Sequence, residues 1–210
     1  MNSTTNAEQI AHRPQISAAY VDPVDAVWLH AASRMGMQVK RDPNVFASWD
    51  GRGTLSIGVP ESLDPDDCLA QMVLHEVCHA LVEGPAAVQQ PDWGIRIDDP
   101  AQRVREHACL RLQAALTTPH GLRKVLAATT TFREYYDALL EDPLAAGDDP
   151  AIAKAVEGWK RAVEGPWTEP IQTALTATSL IANAVQYAAN TDCLWSAFDS
   201  DSKLRSEPLR

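Results

Sequence analysis

The segments of this chain that favour β-structure are confined to one stretch before Pro60, and nearly everything after it has the spacing of helices. Residues from Asp22 to Gly36 form one earlier helical pattern. Three short runs are rich in strand-forming residues: Met37 to Lys40, Val45 to Trp49 and Thr54 to Val59. The last two flank Asp50-Gly51-Arg52-Gly53, a turn sequence that predicts a hairpin. The fold class is therefore predicted to be α+β, mostly helical, with a small antiparallel or mixed sheet of about three strands near the N-terminus.

Three Asp-Pro pairs mark helix starts, because aspartate caps a helix and proline suits its first position. The pairs are Asp64-Pro65, Asp99-Pro100 and Asp149-Pro150, and the helices they open are predicted to end near Glu83, Leu116 and Glu164. Apolar spacing predicts further helices over His120 to Ala128, Thr131 to Leu140 and Glu169 to Ala189. We therefore expect one domain over residues 17–198, with the sheet and central helices in 37–117 and further helices in 120–190. Residues 1–16 and 199–210 are polar, which predicts a flexible arm and tail.

Charge and hydropathy exclude several function classes. The chain has 18 Lys and Arg against 28 Asp and Glu, a net charge of −10. Binding to nucleic acid or to an anionic membrane surface needs clustered positive charge, so neither partner is expected. No apolar run is long enough to span a bilayer, and the first residues lack the pattern of a secretory signal. A cytoplasmic location is therefore expected.

Residues 75–79 read His-Glu-Val-Cys-His, an HExxH motif in the middle of the helix predicted to open at Asp64. Side chains four residues apart lie one above the other on a helix, so His75 and His79 can reach one metal ion. Glu76 projects about 100° round the helix from His75, beside the ion rather than on it. There it can accept a proton from a water molecule that the metal polarises, which is the general-base role of a zinc hydrolase.

The motif and its setting resemble the zincin superfamily of metallopeptidases, over roughly residues 45–116. A small sheet, an HExxH helix and a second helix bearing a further ligand are similar to the zincin core. No glycine and histidine continue the motif after His79, as they would in a metzincin. The resemblance is therefore to glutamate zincins such as the ImmA/IrrE group. It implies one zinc ion per chain, a fold of that type and a peptide or protein substrate.

In glutamate zincins the third ligand is a carboxylate on the second helix, and Glu106 is the leading candidate here. It stands 27 residues after His79. His107 is the rival, because both residues lie at the margin of the apolar face of their helix. Glu83, one turn beyond His79, is expected to face water at the end of its helix.

A peptidase also needs a donor for the oxyanion that develops during the reaction. Tyr135, Tyr136 and His120 follow the second helix and are the candidates. The four cysteines are Cys68, Cys78, Cys109 and Cys193, and none forms a CxxC pair. We interpret them first as reduced, buried small hydrophobes. A thiol pair between Cys78 and Cys109 is an alternative, because their helices should pack together.

Three functions follow from these observations. The first is a zinc metallopeptidase of restricted substrate range, with His75, His79 and Glu106 binding zinc and Glu76 as the general base. The second is a zincin-fold protein with a regulatory or biosynthetic role. The third is a non-enzymatic, metal-binding interaction protein. Neither the substrate nor the oligomeric state follows from the sequence.

Overall fold

The computed structural model describes residues 17–96, 101–127 and 131–200. The predicted arm over 1–16, the Asp99-Pro100 pair and residues 201–210 of the predicted tail lie outside these ranges. The α+β, mostly helical fold class is confirmed within them. The helices are α1 (Pro23–Arg34), α2 (Leu69–Glu83), α3 (Gln102–Thr117), α4 (Arg133–Asp137), α5 (Ala151–Glu164) and α6 (Thr168–Val185). The strands are β1 (Gln38–Arg41), β2 (Ala47–Trp49) and β3 (Thr54–Ile57).

The sheet is mixed and has the order β1-β3-β2. β2 and β3 pair antiparallel with Trp49 opposite Leu55, so the predicted hairpin is confirmed. β1 pairs parallel to β3, with Val39 opposite Leu55. The turn between β2 and β3 contains Gly51 and Gly53, whose φ angles of +71° and +120° favour glycine. Because the sheet order is β1-β3-β2, β2 lies at one edge of the sheet.

The helix that carries the HExxH motif begins later than its Asp-Pro pair predicts. Its N-cap is Cys68, whose sulfur accepts the backbone N–H of Gln71 while the Gln71 side chain accepts the N–H of Cys68. This reciprocal arrangement is a capping box, and it satisfies two of the free N–H groups of the first turn. Asp64 instead lies in a turn that Asp67 closes through a backbone and a side-chain hydrogen bond. The end of α2 is as predicted, at Gly84 with a φ of +89°.

Helix α2 lies at the centre of the molecule, and every residue from Leu69 to Val82 is buried. It packs against α1, α3 and α5. On α5, Gly158 faces α2 and α3 so closely that a Cβ atom there would lie 2.9 Å from Leu112 and 3.2 Å from Val82. Arg161, also on α5, donates to the backbone carbonyl groups of Leu81 and Val82 at the C-terminal end of α2. These contacts hold α2 and α3 at a fixed separation.

The C-terminal helices differ from prediction in part. The helix predicted from His120 to Ala128 is wrong, because the described residues of that stretch form turns after Gly121, whose φ is +71°. α4 is only five residues long, shorter than the predicted Thr131 to Leu140. α5 has the predicted bounds, and α6 ends at Val185 rather than Ala189. In the described ranges no helix combines the length and apolar character that a bilayer-spanning segment requires.

The first and last α-helices of the described chain are in contact. α1 packs against α6, and the fully buried indole of Trp28 donates a hydrogen bond to the Thr178 hydroxyl at 3.0 Å. The apolar cluster that includes these elements runs from Val24 to Phe198 and takes in the buried faces of β2, β3, α2 and α5.

Candidate metal centre

Two histidines on one face of α2 bring their ring nitrogens together inside the protein. His75 and His79 are 8% and 4% exposed, and their Nε2 atoms are 3.1 Å apart. Two ligands at 2.0–2.1 Å from a tetrahedral metal ion would be about 3.3 Å apart. The spacing of the motif on a regular helix is sufficient to produce this pair.

The Glu106 carboxylate faces the same two nitrogens from α3. Its Oε2 atom lies 3.6 Å from His79 Nε2 and 3.8 Å from His75 Nε2. Three potential ligand atoms, two from imidazoles and one from a carboxylate, therefore converge from two packed helices. This is a donor set that zinc accepts.

Cys109 is also close to the histidine pair and, with them, makes a buried group that could hold a metal ion. Its sulfur, however, approaches His75 on the side of Nδ1, at 3.5 Å, and contacts the His75 carbonyl oxygen at 3.4 Å. Burial and the neighbouring Cys78 raise the pKa of the Cys109 thiol well above its usual value. The Cys109 sulfur lies on the Nδ1 side of His75, whereas the Glu106 carboxylate faces the Nε2 atoms of both histidines.

Gln113 fixes the orientation and tautomer of His75. Its Oε1 atom lies 3.0 Å from His75 Nδ1, while its Nε2 donates to the Leu126 carbonyl at 2.7 Å. Because the amide NH₂ group is committed to Leu126, its oxygen must accept, and His75 Nδ1 must carry the proton. His75 Nε2 is then left with the lone pair that a metal ion needs. Nothing in the sequence pattern singles out Gln113, which is fully buried one helical turn beyond Cys109.

Glu76 lies beside the histidines and is held by a tryptophan. The indole Nε1 of Trp93 donates to Glu76 Oε2 at 2.7 Å, and both side chains are buried. Burial raises the pKa of Glu76, while His75 and the Trp93 hydrogen bond lower it in part. A carboxylate with a raised pKa takes up a proton more readily, which suits a general base.

The electrostatics of the site favour the neutral form of His79. Burial, and then His75, lower the pKa of His79 well below its ordinary value. Burial, and then the Glu83 carboxylate, raise the pKa of Glu106 to about 7. The expectation that Glu83 faces water is wrong. Its side chain is 7% exposed and lies 3.7 Å from both Arg105 and Lys154, which neutralise its charge.

A cavity of about 590 Å³ opens onto the histidines, Glu76 and Glu106. Its remaining walls are partly apolar and partly polar, and come from the start of β2, from the first turns of α2 and α3, and from the segments that precede β2, α2 and α4. They are Phe46, Ala47, Asp64, Gln71, Met72, Gln102, Thr131 and Phe132. The cavity is large enough for part of a peptide chain.

The other sequence-derived candidates lie elsewhere. The His107 ring stacks on Tyr135 with centroids 3.6 Å apart and does not line the cavity that His75, His79 and Glu106 line. The Tyr135 hydroxyl is bound to Arg111 and Asp149, and the Tyr136 hydroxyl donates to the Arg123 carbonyl. His120 lies 3.3 Å from Gln172. None of these four side chains lines the cavity, so the three oxyanion candidates are not positioned for that role.

The four cysteines are free thiols. Cys78 and Cys109 are fully buried, while Cys68 and Cys193 are partly exposed. Cys78 and Cys109 are hydrogen-bonded neighbours where α2 meets α3, as expected for helices that pack together. Cys68 serves as the N-cap of α2, and burial raises the pKa of its thiol to about 11.

No protein-family model matches this chain, and no curated protein or solved structure gives a significant match. The comparisons therefore give no family for this chain.

Proposed function

We propose that this protein is a zinc-dependent hydrolase that cleaves a peptide bond in a restricted set of peptide or protein substrates. One observation carries the proposal: His75 Nε2, His79 Nε2 and Glu106 Oε2 converge within 3.8 Å of one another beside Glu76. In this proposal His75, His79 and Glu106 hold one zinc ion, and Glu76 is the general base. The resemblance to glutamate zincins supports the same assignment.

Each residue has a defined part in the proposed reaction. A bound zinc ion would supply Lewis acidity, which polarises a carbonyl group and acidifies water. Gln113 keeps His75 in the tautomer that binds the ion, and Glu76 removes the proton from the attacking water. Glu76 then returns that proton to the leaving amine. The cavity wall excludes bulk water and aligns the substrate along the α2 face.

Metal analysis of protein purified without a polyhistidine tag tests the metal centre. We expect about one zinc ion per chain in the wild type and at least a tenfold weaker affinity in the Glu106→Ala variant. The matched controls are Cys109→Ala and His107→Ala, and both should retain zinc. Loss of zinc in Cys109→Ala with retention in Glu106→Ala would contradict the proposed ligand set.

Cleavage of a mixture of natural peptides, followed by mass spectrometry of the products, tests the reaction. The wild type should generate new peptide termini, and Glu76→Gln should lose this activity while it retains the fold and the metal. A Glu76→Gln variant as active as the wild type would contradict the hydrolase proposal. Binding of zinc without any cleavage would favour the regulatory, biosynthetic or interaction role instead.

A further inference from the structure

The short turn over Pro91–Gly94 has an unusual backbone. Asp92 has φ and ψ of 46° and 40°, and Trp93 has 57° and 21°. These are left-handed conformations that non-glycine residues rarely adopt, and such strain persists only where the surroundings enforce it. In the described part of the chain, no other non-glycine residue has a positive φ.

Contacts to the edge strand β2 enforce this conformation. Asp92 Oδ1 accepts hydrogen bonds from the Ser48 hydroxyl and the Trp49 backbone N–H, both at 3.0 Å. The indole rings of Trp49 and Trp93 stack with centroids 4.6 Å apart and planes 6° from parallel. The Trp49 indole N–H donates to the Val88 carbonyl at 2.8 Å, which ties the stack to the preceding loop.

The strained turn places one donor against Glu76. Trp93 is 2% exposed, and its indole N–H, which can only donate, meets Glu76 Oε2 at 2.7 Å. The carboxylate is thereby fixed by one oxygen, which leaves its second oxygen for the cavity that Glu76 lines. A packing role alone would need only an aromatic ring against Trp49.

We propose that Trp93 is a positioning residue, held by the Asp92–Trp93 turn, that fixes the Glu76 carboxylate for proton transfer. This inference rests on the proposed function, because it assigns Trp93 a role through the general base. An untethered glutamate would rotate among several rotamers, and only some of them would direct an oxygen at a ligand beside the histidines. The hydrogen bond from Trp93 favours one of these rotamers of Glu76.

Acetohydroxamic acid binding to the cobalt-loaded protein tests this role. The probe chelates a divalent ion through two oxygens and releases a proton that a neighbouring carboxylate can accept. The visible absorption of cobalt reports metal binding, and its change on titration reports probe binding. Trp93→Phe keeps the aromatic stack but removes the N–H. It should weaken probe binding up to about tenfold with cobalt affinity unchanged, because Glu76 without the Trp93 hydrogen bond occupies several rotamers and faces the probe in only some of them.

Trp28→Phe is the matched control. It removes another buried indole N–H, which donates to Thr178 rather than to Glu76, so its affinity for acetohydroxamic acid should equal that of the wild type. If Trp28→Phe and Trp93→Phe weaken the probe equally, the effect is one of packing, and the positioning role is wrong.

A double-mutant cycle with Glu76→Ala separates positioning from a structural effect. Trp93→Phe should have no further effect in the Glu76→Ala background, and an undiminished effect there would overturn the proposal. If Trp93→Phe does not fold, β-(3-benzothienyl)alanine at position 93 replaces the N–H by sulfur with little change of shape. That variant should show the same loss. A wild type that binds no cobalt would instead overturn the proposed function.

Discussion

At the scale of single residues, the approach of His75 to His79 follows directly from sequence spacing, whereas the contacts of the residues around the pair do not. Four residues of helix are enough to bring His75 and His79 together. Gln113 and Trp93 reach the site from α3 and from a loop turn, so their roles depend on tertiary proximity. No local pattern marks a glutamine or a tryptophan for such a task. Glu106 lies between these cases, because its helix was predictable but its orientation relative to His107 was not.

Removal of the Gln113 amide should weaken the metal site without unfolding it. In the Gln113→Leu variant, His75 loses the acceptor that fixes its Nδ1 proton, and we expect zinc affinity to fall about 10- to 100-fold. Competition with a chromophoric chelator measures this change. Thr117→Val is the control, since Thr117 lies one turn further along α3 and donates to backbone carbonyls of its own helix rather than to His75. Equal zinc affinity in Gln113→Leu and wild type would contradict the role assigned to Gln113.

At the scale of helices and strands, proline and glycine located most boundaries correctly. Gly84 and Gly165 end α2 and α5 where the sequence places them. The predicted start of α2 was wrong because cysteine is an uncommon N-cap residue. The helix begins after Cys68, which forms a capping box with Gln71, and not at the Asp64-Pro65 pair. The turns after Gly121 were wrong because a short apolar run fits a helix or a packed loop equally well.

The separation of α2 and α3 depends on α5, which carries none of the proposed metal ligands. A Gly158→Val substitution should lower the free energy of unfolding by about 1–3 kcal/mol, because its side chain would clash with Leu112 and Val82. Urea unfolding monitored by circular dichroism measures the loss. Gly147→Val, in the loop before α5, has only ordinary contact with Ile152 and should stay within about 0.5 kcal/mol of wild type. A similar cost for both would show that packing at Gly158 is not the cause.

A polar network joins α3, α4 and the start of α5 through Asp149. Burial raises the pKa of Asp149, but hydrogen bonds from Tyr135, Ala151 and Arg111 outweigh it and lower the pKa to about 2. Since this value lies below that of an unfolded aspartate, the network stabilises the fold near neutral pH. The stabilisation should disappear as the pH falls from about 4 through 2.

Asp149→Asn tests this network. The variant should lower the free energy of unfolding by about 1–2 kcal/mol at neutral pH, with a difference from wild type that shrinks towards pH 2. Urea unfolding at a series of pH values provides the comparison. The control is Asp148→Asn, at the exposed neighbouring aspartate. Its free energy of unfolding should match that of the wild type at every pH. A difference for Asp149→Asn that does not depend on pH would exclude the charge of Asp149 as its origin.

At the scale of the whole molecule, the proposed function implies that metal binding and stability are coupled. The proposed ligands come from two helices that meet only in the folded chain, so zinc should bind the folded state preferentially. At about 100 times its dissociation constant, zinc should add about 2.7 kcal/mol, which raises Tm by roughly 5–10 °C in a chain of this size. Thermal unfolding with zinc and with a chelator measures the shift. A double His75→Ala, His79→Ala variant should show none, and an equal shift in it would place the binding elsewhere.

The contact between Trp28 and Thr178 has a consequence for synthesis in the cell. The two residues are 150 positions apart, so α1 has its partner α6 only when most of the chain has left the ribosome. At the usual 5–20 residues per second, the part of α1 that α6 covers would stay exposed for roughly 8–30 seconds after Trp28 is made. During that interval Trp28 lacks its Thr178 partner, and this part of α1 offers an apolar binding site to a holding chaperone. A stop codon placed before α6 would make that exposure permanent.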